Sequence, residues 1–164
     1  MGIKNSLLEF AIRNNLIPMK LKWELSVSAV GSLYRDMYYI LDEGERVKLA
    51  KVMENMGLEH SEEITKRLGL SKNLHGCALS LMAYHRIFGI RSHIAEETDR
   101  EVVIRVSKCM WKDKRGWTPE LCASIEGFET GLVKGIDGSL IHFYSKRRSL
   151  GDGFCEMHLR STSN

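Results

Sequence analysis

The chain has 164 residues, 43% of them hydrophobic and 27% charged, enough for one proper core and too few to suggest two. Its formal net charge of +3 comes from acids and bases interspersed nearly everywhere, too weak an excess to imply nucleic acid or an anionic surface as a partner. No stretch approaches the ~20 apolar residues of a membrane span, and the start lacks the basic-then-apolar pattern of a secretory signal.

The expectation is therefore a single domain over 1–164, cytoplasmic and without a membrane partner, with a helical part over 1–89 and a sheet-and-helix part over 90–160. Met1-Gly2-Ile3-Lys4-Asn5-Ser6 fits a myristoylation pattern, but an apolar helix follows directly and the pattern is set aside.

Leu7, Leu8, Ala11 and Ile12 share one face of a first helix, and Pro18 breaks it before a second that carries Leu21, Leu25, Leu33 and Met37. Asp42 caps a third helix, Glu43 to about Met56, ended by Gly57; Ser61 caps a fourth, closed by Gly69. A fifth, from about Asn73 to Phe88, puts Leu74, Cys77, Ala78, Leu81 and Met82 on one buried stripe. The period then changes. Ile90 to Ala95 and Val102 to Lys108 read as a hairpin, Pro119 to Val133 as a helix, and Leu140 to Lys146 with Phe154 to Arg160 as a second hairpin. The basic run Lys146-Arg147-Arg148 reads as a solvated turn. The class is α+β: N-terminal helices packed on a small antiparallel sheet.

If the two hairpins join in one sheet beneath the late helix, Cys109, Cys122, His142 and Cys155 converge. Three soft thiolates and an imidazole in a tetrahedral set favour zinc, although no pair has CxxC spacing. The helix start would also depress the pKa of Cys122 and make it a candidate nucleophile. The alternative is that these cysteines are small core hydrophobes, since Cys155 alternates with Met157 and Leu159. Cys77, on the apolar stripe, is read as core. Gly151-Asp152 before Cys155 reads as turn chemistry, with Asp152 as a base beside a thiolate the lesser reading.

Tyr34, Met37, Tyr38, Tyr39, Met82, Tyr84, His85, Phe88 and Phe128 form an aromatic and methionine collection that suits a core, or an apolar pocket with Tyr38, Tyr84, His85 and Phe128 as ligand-binding residues. A winged-helix reading, with Ile64 to Ser71 leading a recognition helix, finds only Lys72, Asn73, His75 and Arg86 to meet DNA, around an apolar centre. That speaks against nucleic acid. Homodimerisation is expected if the apolar N-terminal helices exceed what one small sheet covers.

The order Val102-Val103-Ile104-Arg105-Val106-Ser107-Lys108-Cys109, Pro119-Glu120-Leu121-Cys122, Ile125-Glu126-Gly127-Phe128 and Gly151-Asp152-Gly153-Phe154-Cys155 resembles the L-2-amino-thiazoline-4-carboxylic acid hydrolase-like proteins and the related 4-vinyl reductase domains, over roughly residues 60 to 160. The resemblance implies a ligand-binding fold of the nitric-oxide signalling and Golgi transport type. It also implies a zinc site near the final hairpin to which Cys122 and Cys155 correspond. Phe143, Tyr144, Lys146 and Arg147 stand where that pattern has a further Cys and Glu, so Cys109 or His142 would have to substitute. The expectation is a small-molecule-binding domain with a cysteine-held zinc or thiolate site. The enzymatic alternative is a hydrolase opening a thiazoline-type ring, by zinc-activated water or by direct attack of Cys122.

Overall fold

The computed structural model describes residues 13–14, 16, 18–112 and 114–162, and the expected helix at Leu7 to Ile12 and the Met1 to Ser6 pattern lie outside them. The described elements are α1 (Met19–Ile40), α2 (Glu43–Leu68), α3 (Leu74–Ile87), β1 (Arg91–Glu97), β2 (Glu101–Lys108), α4 (Pro119–Ile136), β3 (Leu140–Lys146), a 3₁₀ turn (Arg148–Leu150) and β4 (Cys155–Ser161).

Local chemistry sets the helix ends. Asp42 and Glu45 form a reciprocal capping box at the start of α2, and Gly69 ends it in the left-handed region at φ 63°. The Asn73 side chain accepts from the Gly76 N–H at 2.9 Å to start α3. Thr118 and Pro119 start α4, Thr118 accepting from Leu121 N–H while Pro119 occupies a position that needs no donor.

The two hairpins join through β2 and β4 in one antiparallel sheet of order β1-β2-β4-β3. Its inner face presents Val102, Ile104, Met157 and Leu159, all fully buried, against Cys77, Ala78 and Leu81 of α3 and Leu132 and Val133 of α4. Each such aliphatic side chain contributes about 1.5–3 kcal/mol by leaving water. Cys77 is a core residue, its thiol pushed up to about 12 by burial. Cys77, Ala78, Ser80 and Leu81 of α3 are buried, and His75 and Arg86 are its exposed polar side chains.

One expected boundary is absent. The third and fourth helices run together as α2, straight through Gly57 and Ser61. Gly57 does not stop the helix; it lets the backbone of α4 approach, because a Cβ there would overlap the carbonyl oxygen of Phe128. Ser61 donates within the helix to Leu58 O at 2.7 Å instead of capping a new one. Opposite, Gly127, Gly131 and Gly135 place bare backbone against Ala50, Glu54 and Ser61, so α2 and α4 lie backbone to backbone.

α1 attaches differently, by side chains reaching across. Trp23 Nε1 donates to Ile87 O at 2.7 Å, Tyr39 OH to Gly116 O at 2.8 Å and Trp111 Nε1 to Val27 O at 3.3 Å, while Tyr34 OH lies 3.0 Å from Ser124 Oγ. Its Leu21, Leu25, Leu33 and Met37 are exposed rather than packed. No helix of the described residues is long and apolar enough to cross a membrane.

Candidate functional site

Because α1 is held at a distance by long aromatic side chains, the space beneath it is not filled. A cavity of about 340 Å³ lies there, more than twice the ~150 Å³ that holds a benzene in an engineered core. Val30, Gly31, Tyr34 and Met37 of α1 face Leu49, Val52, Met53 and Met56 of α2 across it. Leu81, Tyr84, His85 and Phe88 of α3, Ile125, Phe128 and Glu129 of α4, and Trp111 from the loop after β2 close the inner end. Tyr84, Phe88 and Phe128 pack as a ring cluster, the Tyr84 and Phe128 centroids 4.9 Å apart and edge to face. Val30, Met37, Val52 and Met56 are exposed, so the mouth lies between α1 and α2.

The lining is hydrocarbon and aromatic except at its inner end, where Glu129 stands. Its Oε1 accepts from His85 Nε2 at 2.9 Å and its Oε2 from Tyr144 OH at 2.7 Å. His85 Nδ1 in turn lies 2.8 Å from Ser92 Oγ. His142 Nε2 lies 3.6 Å from the same Oε2 and has no hydrogen-bond partner among the described residues. Burial pushes the Glu129 carboxyl up, but the hydrogen bond and charge of His85, the charge of His142 and the Tyr144 hydroxyl together hold it below the usual carboxylate value. Burial lowers His142, and the charges of His85 and Arg147 add to this against the pull of Glu129. Burial and the adjacent Glu129 raise Tyr144 well above its ordinary value, so its phenol stays a donor.

Cys109, Cys122 and Cys155 do come together, in a second, narrower pocket of about 80 Å³ that shares His85, Ile90, Trp111, Ile125 and Glu129 with the cavity as a common partition. His142 does not line that pocket; its Nδ1 bonds Thr130 Oγ1 at 3.2 Å, on the far side of the Glu129 network. Trp117 Nε1 donates to Cys122 Sγ at 2.9 Å, and Arg148 N–H to Cys155 Sγ at 3.3 Å. Among the described residues no group of three or more His, Cys, Asp or Glu side chains is placed to hold a metal ion. The expected four-residue zinc set of Cys109, Cys122, His142 and Cys155 is thus not assembled.

The expected activation of Cys122 is also reversed. Burial outweighs the Trp117 and Ser149 hydrogen bonds and pushes its thiol up to about 11, and Cys109 and Cys155 are raised by burial as well. Raised from 9.0 to about 11, Cys122 holds roughly a hundredfold less thiolate at neutral pH than a free thiol. We expect native protein at pH 7.5 to take up iodoacetamide at Cys122 at least tenfold more slowly than urea-unfolded protein, followed by peptide mass spectrometry. Alkylation of native Cys122 at the unfolded rate refutes this.

The basic turn is not solvated throughout either. Arg147 folds inward and makes two bonds to Glu126, 2.9 and 2.7 Å, with its guanidinium 5.3 Å from the Tyr144 ring centroid. Burial pushes Glu126 up to about 7 against the pull of Arg147. Asp152 accepts from Arg147 N–H at 2.7 Å, a turn role rather than that of a base.

Of the residues singled out for ligand binding, Tyr84, His85 and Phe128 line the cavity, whereas Tyr38 is buried outside it, 4.7 Å beneath the Arg46 guanidinium. Sequence reading passed over Glu129, Trp111 and the α2 wall. Glu129 had a signal: a lone carboxylate on the apolar face carrying Leu121, Ile125, Phe128 and Leu132, which is unusual unless the charge is paired inside. Trp111 had none, since its place follows from loop geometry.

No family model matches the chain, and no curated protein matches it either. Among solved structures, it is similar to a trafficking protein particle complex subunit 3 from Naegleria fowleri covalently bound to palmitic acid, at 20% identity and a TM-score of 0.63, over 88% of this chain and 97% of that one. It is also similar to the phenol-responsive sensory domain of the transcription activator PoxR with phenol, at 16% identity and a TM-score of 0.58, over 82% of this chain and 74% of that one. At these identities the likeness is one of fold: helices on a four-stranded antiparallel sheet.

Proposed function

We propose that this protein is a binding domain for a small, predominantly apolar molecule, seated in the cavity between α1, α2, α3 and α4. The observation that carries this reading is the cavity of about 340 Å³ itself: it has the size of an ordinary ligand pocket and a hydrocarbon and aromatic lining with one polar corner at His85 and Glu129. An apolar body gains from leaving water there, and at most one or two polar groups find partners. Two fold neighbours holding palmitic acid and phenol support the reading, because both ligands are mostly hydrocarbon with one oxygen-bearing end. The resemblance to 4-vinyl reductase and aminothiazoline hydrolase-like proteins enters as ligand binding, the part of it that the apolar cavity and the two fold neighbours support.

The test is a thermal-shift and calorimetric series of alkylphenols and fatty acids of graded length. At least one member is expected to bind with a Kd in the micromolar range and to raise Tm at saturation. The doubly substituted Val30→Trp, Met56→Trp protein closes the mouth at two exposed positions without overpacking the core, and is expected to lose that binding at least tenfold while keeping its Tm. Absence of binding across the series, or undiminished binding by the blocked variant, refutes the proposal.

A further inference from the structure

Away from the cavity, on the other side of Ile90, lies a cleft of about 260 Å³ between the start of α1, the end of α3 and the open end of the β1–β2 hairpin. Four cations line it, Lys20, Arg86, Arg91 and Lys108, against one carboxylate, Glu24. Glu24 pairs with Lys20 at 3.9 Å, and both groups are well exposed. Among the described residues no carboxylate pairs with Arg86, Arg91 or Lys108. The Arg86 guanidinium donates to the Ser92 carbonyl at 3.4 Å.

Exposed cations are commonly just solvated, so the placement has to decide. Arg91 and Lys108 are direct register partners across β1 and β2, which sets two like charges on the same face of the sheet. Cross-strand like charges directly opposed are destabilising, and elsewhere this sheet opposes opposite signs: Arg105 faces Glu156, and Glu101 faces Arg160. The exception falls where the surface is concave and where a third and fourth cation arrive from two other elements. Met110 and the Trp23 indole form an apolar wall beside them, which lowers the local dielectric and strengthens attraction for an anion.

We infer that this cleft binds the phosphoryl group of a small molecule, held between the Arg91–Lys108 pair and Arg86. Guanidinium and ammonium groups converging from several directions suit the several oxygens of a phosphoryl group better than one carboxylate. The volume admits a diphosphate.

Calorimetry with inorganic pyrophosphate at low ionic strength tests this. Binding is expected to weaken at least tenfold in the Arg91→Ala, Lys108→Ala double variant and to stay within twofold in a control lacking Lys66 and Arg67, two cations at the end of α2. The double variant has a second signature that a merely structural role would not produce. Without pyrophosphate its Tm is equal to or above that of the parent, because a repulsive pair is gone; with pyrophosphate the parent's rise in Tm is lost. Flotation with phosphatidylcholine vesicles carrying phosphatidic acid separates the sources: no flotation assigns the site to soluble phosphoryl compounds, and flotation that pyrophosphate competes away extends it to lipid headgroups. Failure of pyrophosphate to bind, vesicle binding without pyrophosphate binding, or full binding by the double variant overturns the inference. Its failure would leave the apolar cavity untouched, as the two sites are probed by different compounds.

Discussion

Gly131→Ala is expected to destabilise the protein by about 3 kcal/mol, the upper end of what overpacking costs, despite alanine's better helix propensity. A Cβ at this position falls on the carbonyl oxygen of Glu54, and the two atoms that must separate are both tied into helical backbone. Neither can rotate aside, so α2 and α4 move apart as units. Because both helices wall the cavity, through Met53 and Met56 on one and Ile125 and Phe128 on the other, the same change should weaken apolar ligand binding. Gly138→Ala is the control: its added methyl lies 3.8 Å from Lys134 O in ordinary contact and should shift stability by no more than about 0.5 kcal/mol. Urea denaturation of the two variants compares them directly. Equal midpoints would show that the interhelical contact tolerates a methyl group and that the glycines of α4 serve some other end.

The same glycines explain where sequence reading stopped. Caps and periods are local signals, so Asp42, Asn73 and Pro119 announced their helices and the alternation around Val102 to Val106 and Cys155 to Leu159 announced strands. Gly57 carries the same local signal as a helix end, and only the arrival of α4 against it, some seventy residues on in sequence, distinguishes a close approach from a stop. The site divides in the same way. The convergence of Cys109, Cys122 and Cys155 was legible because strand ends and a helix start fix their neighbourhood. Their chemistry was not, because it depends on how deeply Trp111, Trp117 and Ile125 bury them. His142 was misplaced by alternation: the inward faces of β3 and β4 do share a side of the sheet, but Thr130 and Glu129 of α4 occupy the space above His142. The cavity was legible only as a collection of aromatic and methionine residues, of which Tyr34, Met37, Tyr84, His85, Phe88 and Phe128 line it; its size was not, being the room left beneath a helix that its own aromatic side chains hold away.

His85→Ala should be the most damaging single change at the partition between cavity and cysteine pocket. It removes the group that donates to Glu129 Oε1, leaving a largely buried carboxylate with the Tyr144 hydroxyl alone. Breaking a buried pair in this way costs about 3–5 kcal/mol. Its pH dependence gives the mechanism away. In the parent, Glu129 titrates below the usual carboxylate value, so its contribution to stability is fully present above about pH 4.3 and is lost as the pH falls through the lowered native value. Without His85, burial dominates and Glu129 titrates above the unfolded value. The native state then holds the extra proton, and this group's contribution to stability declines as the pH rises from about 4.3 through the raised value. The defect should therefore be larger at pH 7.5 than at pH 5, read as the difference in urea midpoints between variant and parent. His85→Leu with Glu129→Gln removes the charge and keeps an acceptor for Tyr144, and should recover most of the loss. A defect of equal size at both pH values, or no recovery in the double variant, would mean that His85 matters for its volume and that the Glu129 charge is held by other groups.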